Sequence, residues 1–331
     1  MEVDFLNVLI TVLSLVIFIV PGFLLAKLKI FKEGADKALT GLVINVSQPL
    51  LMFMSLQKYF DKSILSNVLV VFVATVIIHF VMIGLLSIVL RNKDRVKKIN
   101  VVKFASIFGN VGFMGIPFLQ TLFKNNPSVQ SEILIYCAIV IAAFNLMTFS
   151  VGVLIISGDK KNVSFKKAFL NPTSISVYVG LFLFLVVGRP IASFGAEGSN
   201  LNLFLTKIMN SLQMLGDMVT PLSMIVIGIK LAATSPKKLF LDKWAYVSCL
   251  DKLIIMPLVA ILVVGFLPVN QVLKYAVFFT MAMPSAAITT MFSVQFDSDG
   301  EFASSAVLLT TAMSIITIPL MFLVINGLFG I

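Results

Sequence analysis

Charge, histidine and cysteine are all scarce in this chain of 331 residues. Only 12% of its residues are charged, and it holds one histidine and two cysteines. So low a charge fraction, with 59% hydrophobic residues and a mean hydropathy of +1.06, excludes an ordinary soluble domain. The lone His79 leaves no histidine pair for catalysis, and the sequence shows neither a metal-ligand cluster nor a nucleotide motif, so no enzyme is expected. Cys137 and Cys249 both fall in apolar runs and read as small core residues, without disulfide, metal or redox chemistry.

What the chain has instead is apolar length. A hydrocarbon layer about 30 Å thick needs roughly 20 apolar residues per helix. Ten such stretches are legible: 5–26, 38–57, 64–90, 101–123, 131–157, 173–190, 203–232, 242–265, 271–294 and 302–329. The expected fold is therefore an all-α polytopic membrane protein of ten transmembrane helices. Glu2 and Asp4 precede the first stretch where a cleaved signal peptide would carry basic residues, so that stretch is expected to stay in the membrane.

Lysine and arginine concentrate in cytoplasmic loops. With the N-terminus outside, the cytoplasmic connections collect 18 of the 25 basic residues, Lys160, Lys161, Lys166 and Lys167 among them. Both termini are then expected to face away from the cytoplasm. The exception is the turn between the last two stretches, where Asp297, Asp299 and Glu301 have no basic neighbour in sequence. The net charge of +10 thus reads as a topology signal, with attraction to anionic lipid as a secondary effect, and nucleic acid is not an expected partner. The expected partners are a small organic anion, the lipid bilayer and, as a candidate, a second copy of the chain in a homodimer.

The two halves match each other. Lys103-Phe104-Ala105 returns as Lys274-Tyr275-Ala276 at an offset of 171, and Asn45 to Met52 faces Asp217 to Met224 at an offset of 172. Five spans per half force the second copy to be inverted. This divides the chain into a first five-helix repeat over 1–157, a short basic cytoplasmic linker over 158–172 and a second, inverted repeat over 173–331.

Each half contains one broken span. Gly109-Asn110-Val111-Gly112-Phe113-Met114-Gly115-Ile116-Pro117 interrupts the fourth, and Ala282-Met283-Pro284-Ser285-Ala286-Ala287 the ninth. Paired breaks of this kind point to a transporter binding site near the bilayer midplane. Backbone leaves the helix at that depth only where it is buried in protein or lines a cavity. Each resuming half-helix offers free N–H groups and roughly half a positive charge, so inverted breaks aim two positive ends at one centre, suited to a carboxylate. Close helix packing at the three glycines with a kink at Pro117 is the competing explanation.

At these residues the chain resembles the auxin efflux carrier family, whose bacterial members include malate and malonate permeases. Plant members carry a Pro-Asn pair where this chain has Gly109-Asn110, followed by the same Met-Gly-Ile-Pro run, here Met114 to Pro117. Ala282-Met283-Pro284 is similar to the family's Ala-Leu-Pro crossover, although Thr289 stands where plant members have a second proline. Asn171-Pro172-Thr173, and Asp217 with Pro221 and Gly228, also fit. The resemblance implies two inverted five-helix repeats with helices four and nine crossing at the substrate site. It implies a scaffold part, a transport part moving as an elevator, and a substrate carboxylate against Asn110. The long cytoplasmic loop of many plant members is missing, which favours a small mono- or dicarboxylate over auxin.

The expected substrate-binding set is Asn110, Val111, Gly112, Met114, Met283, Pro284, Ser285 and Ala286 from the breaks, with Asn45 and Gln48 from the second span. Ionisable groups inside spans are costly and commonly functional. Gln213, Asp217 and Thr220 fall on one helical face, as candidates to hold Na⁺ or a proton or to tie down the break at Pro221. His79 and Asp251 occupy equivalent positions 172 apart; His79 is a candidate for proton coupling or a packing residue. Lys252 is a candidate to attract the anion or to form a structural pair. No cofactor is expected beyond Na⁺ or H⁺ as a candidate coupling ion. The functional expectation is a secondary carrier for organic anions in the cytoplasmic membrane, working by elevator-type alternating access, with an uncoupled facilitator or channel of the same fold as the alternative.

Overall fold

A computed structural model describes residues 3–90, 96–233 and 242–329. The described residues are almost wholly helical, with no extended pairing except one isolated bridge. In chain order the helical segments are α1 (Phe5–Lys27), α2 (Ala35–Ser55), α3 (Lys62–Val89), α4 (Val96–Ile107) and α5 (Val111–Leu122). There follow α6 (Pro127–Ser157), the short α7 (Phe165–Phe169), α8 over 172–187 and α9 (Asn200–Ala233). The chain ends with α10 (Lys243–Val264), α11 (Gln271–Ala282), α12 (Ile288–Gln295) and α13 (Gly300–Phe329). Among the described residues eight helices are long and apolar enough to cross a membrane, as expected of an all-α polytopic protein, and the two broken pairs α4–α5 and α11–α12 fall in the other two apolar stretches. Several helices begin a few residues before the apolar runs, because capped polar turns precede them: Asn126 caps α6 with Pro127 next, and Ser199 caps α9.

Three segments widen into a π turn just before a proline: Val43–Ser47 before Pro49, Val111–Gly115 before Pro117, and Asp251–Ile255 before Pro257. A helical proline has no N–H and crowds the carbonyl four residues back, and the wider turn accommodates it. Gln48, Asn110 and the Asp251–Lys252 pair lie in or beside these turns.

The helices pack in two groups. α1, α2, α8 and α9 contact chiefly one another, whereas α3, α6, α10 and α13 surround the two broken pairs. Within the first group, α1 and the second part of α9 touch backbone to backbone. A Cβ on Gly22 would fall 2.1 Å from the Ile225 carbonyl oxygen, and one on Gly228 would fall 2.2 Å from that of Ile19. The two groups meet where α5 lies on α1 and α9, with the Thr220 hydroxyl donating to Gln120 Oε1 at 2.9 Å.

The acidic turn between α12 and α13 does have a basic companion, contrary to its appearance in sequence. Lys97 at the start of α4 sits 2.7 Å from Asp297 and holds that carboxyl below its ordinary value. Lys98 likewise pairs with Asp242. Of the basic residues used for orientation, Arg91, Lys93, Arg95, Lys237 and Lys238 lie outside the described residues.

Candidate functional site

The two breaks meet. Phe108-Gly109-Asn110 and Pro284-Ser285-Ala286 pass each other antiparallel, with Gly109 bridged to Ser285. The Asn110 N–H donates to the Pro284 carbonyl at 2.7 Å, and the Ala286 N–H to the Phe108 carbonyl at 2.8 Å. Because the pairing is antiparallel, the half-helices leave the crossing in opposite directions.

Two half-helices end here and two begin. The ends present carbonyl oxygens and partial negative charge. On α4 the donor is Ser285, whose hydroxyl reaches the Ala105 carbonyl at 2.7 Å. On α11 it is Lys252, fully buried, whose ammonium donates to the Met281 carbonyl at 2.7 Å. Lys252 also lies against the first break: a Cβ on Gly109 would fall 2.9 Å from its Nζ. A larger residue at 109 would push the end of the Lys252 side chain aside. Asp251 turns the other way, toward the Ser106 hydroxyl at 3.3 Å, so each of these sequence neighbours reaches a different helix.

At the two beginnings, part of the donor capacity expected from sequence is already used. Asn110 N–H and Ala286 N–H form the crossing, and the Ser285 N–H donates to Thr310 Oγ1 at 3.1 Å. The N–H groups of Gly112 and Phe113, and of Ala287 and Ile288, have no hydrogen-bond partner among the described residues. Two side-chain amides share that condition. Asn110 is 6% exposed and Gln48 8%, and neither amide bonds any described residue. Gln48 lies over the first break, since a Cβ on Gly112 would fall 2.9 Å from both its Oε1 and its Nε2. Amides this little exposed and without a protein partner are open to a ligand or to water.

Apolar groups close the crossing. Met283 packs within 3.2 Å of a Cβ built on Gly115, Val111 is buried beside it, and Met114 accepts the Ser314 hydroxyl at 4.0 Å. His79 packs against Phe108 with the rings tilted and their centroids 5.5 Å apart, and its Nδ1 faces the Thr75 carbonyl at 2.7 Å. A carbonyl only accepts, so Nδ1 carries the hydrogen and Nε2 keeps its lone pair.

Other expected residues stand apart. Asn45 is exposed and donates to the Gly41 carbonyl of its own helix. The hydroxyl hydrogen of Ser285 is committed to Ala105, so it braces the crossing and is not a free donor. Asp217 is exposed midway along α9, just before its turn at Met218, and accepts from Gln213 at 2.7 Å. The chain turns at Met218, so Thr220 does not continue the face of Gln213 and Asp217 but reaches Gln120 instead. Sequence reasoning missed Ser106, Gln120, Thr310 and Ser314, hydroxyl and amide residues inside apolar helices with no periodic signal to mark them.

Crossed broken helices with buried, unpartnered polar groups in a polytopic bundle define a membrane transporter. The match to known proteins agrees: the family model described as membrane transport protein covers residues 7–165 and 160–322. The chain belongs to that family, the auxin efflux carriers. It is 24% identical over 316 residues to an uncharacterized transporter of Methanocaldococcus jannaschii, covering 93% of this chain and 96% of that protein. It is 27% identical over 314 residues to another uncharacterized transporter, from Methanothermobacter thermautotrophicus, covering 94% and 96%.

Proposed function

We propose that the protein is a secondary transporter that carries a small organic anion, a mono- or dicarboxylate, with the carboxylate held at the crossing of the two breaks. The observation that carries this is the set of donors without partners: the Asn110 and Gln48 amides and the N–H groups of Gly112, Phe113, Ala287 and Ile288. All can donate to an oxygen anion, and four of them stand at helix N-termini of opposite direction. Lys252 places its buried amine beside Gly109, and Val111, Met114 and Met283 give the site an apolar wall.

The grouping of helices suits alternating access of the elevator type. Gln48 and Thr220 belong to the α1–α2–α8–α9 group, while Asn110 and Gln120 belong to the group around the breaks, so substrate would bind between a fixed and a moving part. His79, against the crossing strand with a free Nε2, is the better placed candidate for proton coupling. Asp217 and Gln213, with Na⁺ as the candidate ion, lie midway along α9, where Asp217 is exposed. The protein would act in the cytoplasmic membrane with both termini outside.

Uptake of labelled mono- and dicarboxylates into proteoliposomes, with and without imposed Na⁺ and H⁺ gradients, tests this proposal. Accumulation driven by one gradient supports a coupled carrier. Equilibration that ignores both gradients means an uncoupled facilitator, and no carboxylate flux at all overturns the proposal.

A further inference from the structure

The segment between α6 and α8 combines charge and aromatic surface in a way that transport does not require. Lys160, Lys161, Lys166 and Lys167 are all exposed, and none forms an ion pair with a described residue. The one carboxylate of residues 158–171, Asp159, is turned onto the backbone N–H of Lys161 at 2.9 Å. Flanking the second lysine pair, Phe165 and Phe169 share one face of α7 at a spacing of four and are 58% and 45% exposed; Leu170, next in the chain, is 57% exposed.

This surface is held in place. The Ser164 N–H donates to the Phe149 carbonyl of α6 at 3.2 Å. Asn171 donates to the carbonyls of Lys167 and Ala168 at 3.2 and 2.8 Å, and Asn145 of α6 reaches Asn171 and Ser174 at 3.3 and 3.1 Å. Ala168 is the buried residue of α7. These bonds fix the short helix beside residues 145–149 of α6 and the first turn of α8, the start of a membrane-length helix, which would set it near a membrane boundary. Aromatic rings at that boundary bury into the acyl region, and lysines beside them meet phosphate.

We propose that residues 160–170 form a docking surface for anionic phospholipid, with lysine ammonium groups on the headgroup phosphate and Phe165 and Phe169 against the acyl chains. A soluble acidic partner would match the lysines but would not explain exposed rings at the membrane boundary.

Purified full-length protein in neutral detergent, offered equimolar phosphatidylglycerol and phosphatidylcholine and read by native mass spectrometry, tests this. The wild type is expected to retain phosphatidylglycerol preferentially. The variant Lys160→Gln/Lys161→Gln/Lys166→Gln/Lys167→Gln is expected to lower that preference by about tenfold or more. Phe165→Ser/Phe169→Ser keeps every charge and is expected to weaken lipid retention severalfold, with an unchanged melting temperature in lipid-free detergent. Retention in the four-glutamine variant equal to wild type overturns the proposal. So does displacement of the lipid by glycerol phosphate or polyglutamate, which would mean that the surface reads charge alone.

Discussion

The backbone N–H of Asn110 donates to the carbonyl of Pro284 across 2.7 Å, joining residues 174 positions apart in sequence. That bond fixes the backbone of Asn110 and leaves its side chain without a partner.

Lys252 is buried with one carbonyl as its observed acceptor and no carboxylate in ion-pair range among the described residues. Burying a lysine ammonium with no counter-charge costs desolvation energy, which an apolar side chain of similar length removes. Lys252→Met is therefore expected to leave stability unchanged or to raise it by about 1–4 kcal/mol while weakening anion binding at least about tenfold, the loss of one charge-assisted contact. Thermal unfolding and equilibrium binding on the same preparation check both halves. Wild-type affinity in this variant would remove Lys252 from the site.

Gly22 and Gly228 hold α1 and α9 at backbone contact. Either Gly→Ala change puts a methyl about 2 Å from a carbonyl oxygen, and overpacking of that kind costs about 2–3 kcal/mol. Gly84 in α3 has open space around its Cα, so Gly84→Ala is expected to be neutral or to gain up to about 1 kcal/mol from helix propensity. Melting temperatures of the three variants should separate in that order.

The Lys97–Asp297 pair gives a pH signature. Its carboxyl is depressed in the folded protein, so its contribution is present above the ordinary carboxylate pKa and is lost as pH falls through the lowered value. Asp297→Asn is expected to lower the melting temperature slightly near neutral pH, less so in high salt, and not at all in strong acid. A difference that persists in acid would show that the ion pair is not its cause.

His79 and Asp217 separate as coupling candidates by position. His79→Gln is expected to abolish any acceleration of uptake by an imposed proton gradient, whereas Asp217→Asn keeps it. The reverse outcome would move coupling to the exposed end of the first half of α9.

Much of this was legible in the sequence. The two breaks, their pairing and Asn110 all follow from where glycine and proline interrupt apolar runs, and the structure brings them into direct contact. Side-chain direction was not legible. In an apolar helix without amphipathic contrast nothing marks the inward face, so Asn45 looked equivalent to Gln48 three residues on, yet Asn45 is exposed and Gln48 is buried. The π turns before Pro49, Pro117 and Pro257 rotate these faces further, because each adds a residue to the helical period. Lys97 and Asp297, 200 residues apart, illustrate the remaining gap: their pairing depends on the tertiary arrangement that brings the start of α4 to the turn between α12 and α13.

The most direct test of the crossing as an anion site is equilibrium binding of labelled carboxylates to purified wild-type protein and Asn110→Ala. The Asn110 amide bonds no described residue, so the variant is expected to melt like wild type. Its affinity for whichever carboxylate binds the wild type is expected to fall about 10- to 100-fold, the loss of a hydrogen bond to a charged group. A folded Asn110→Ala protein with wild-type affinity would contradict the assignment.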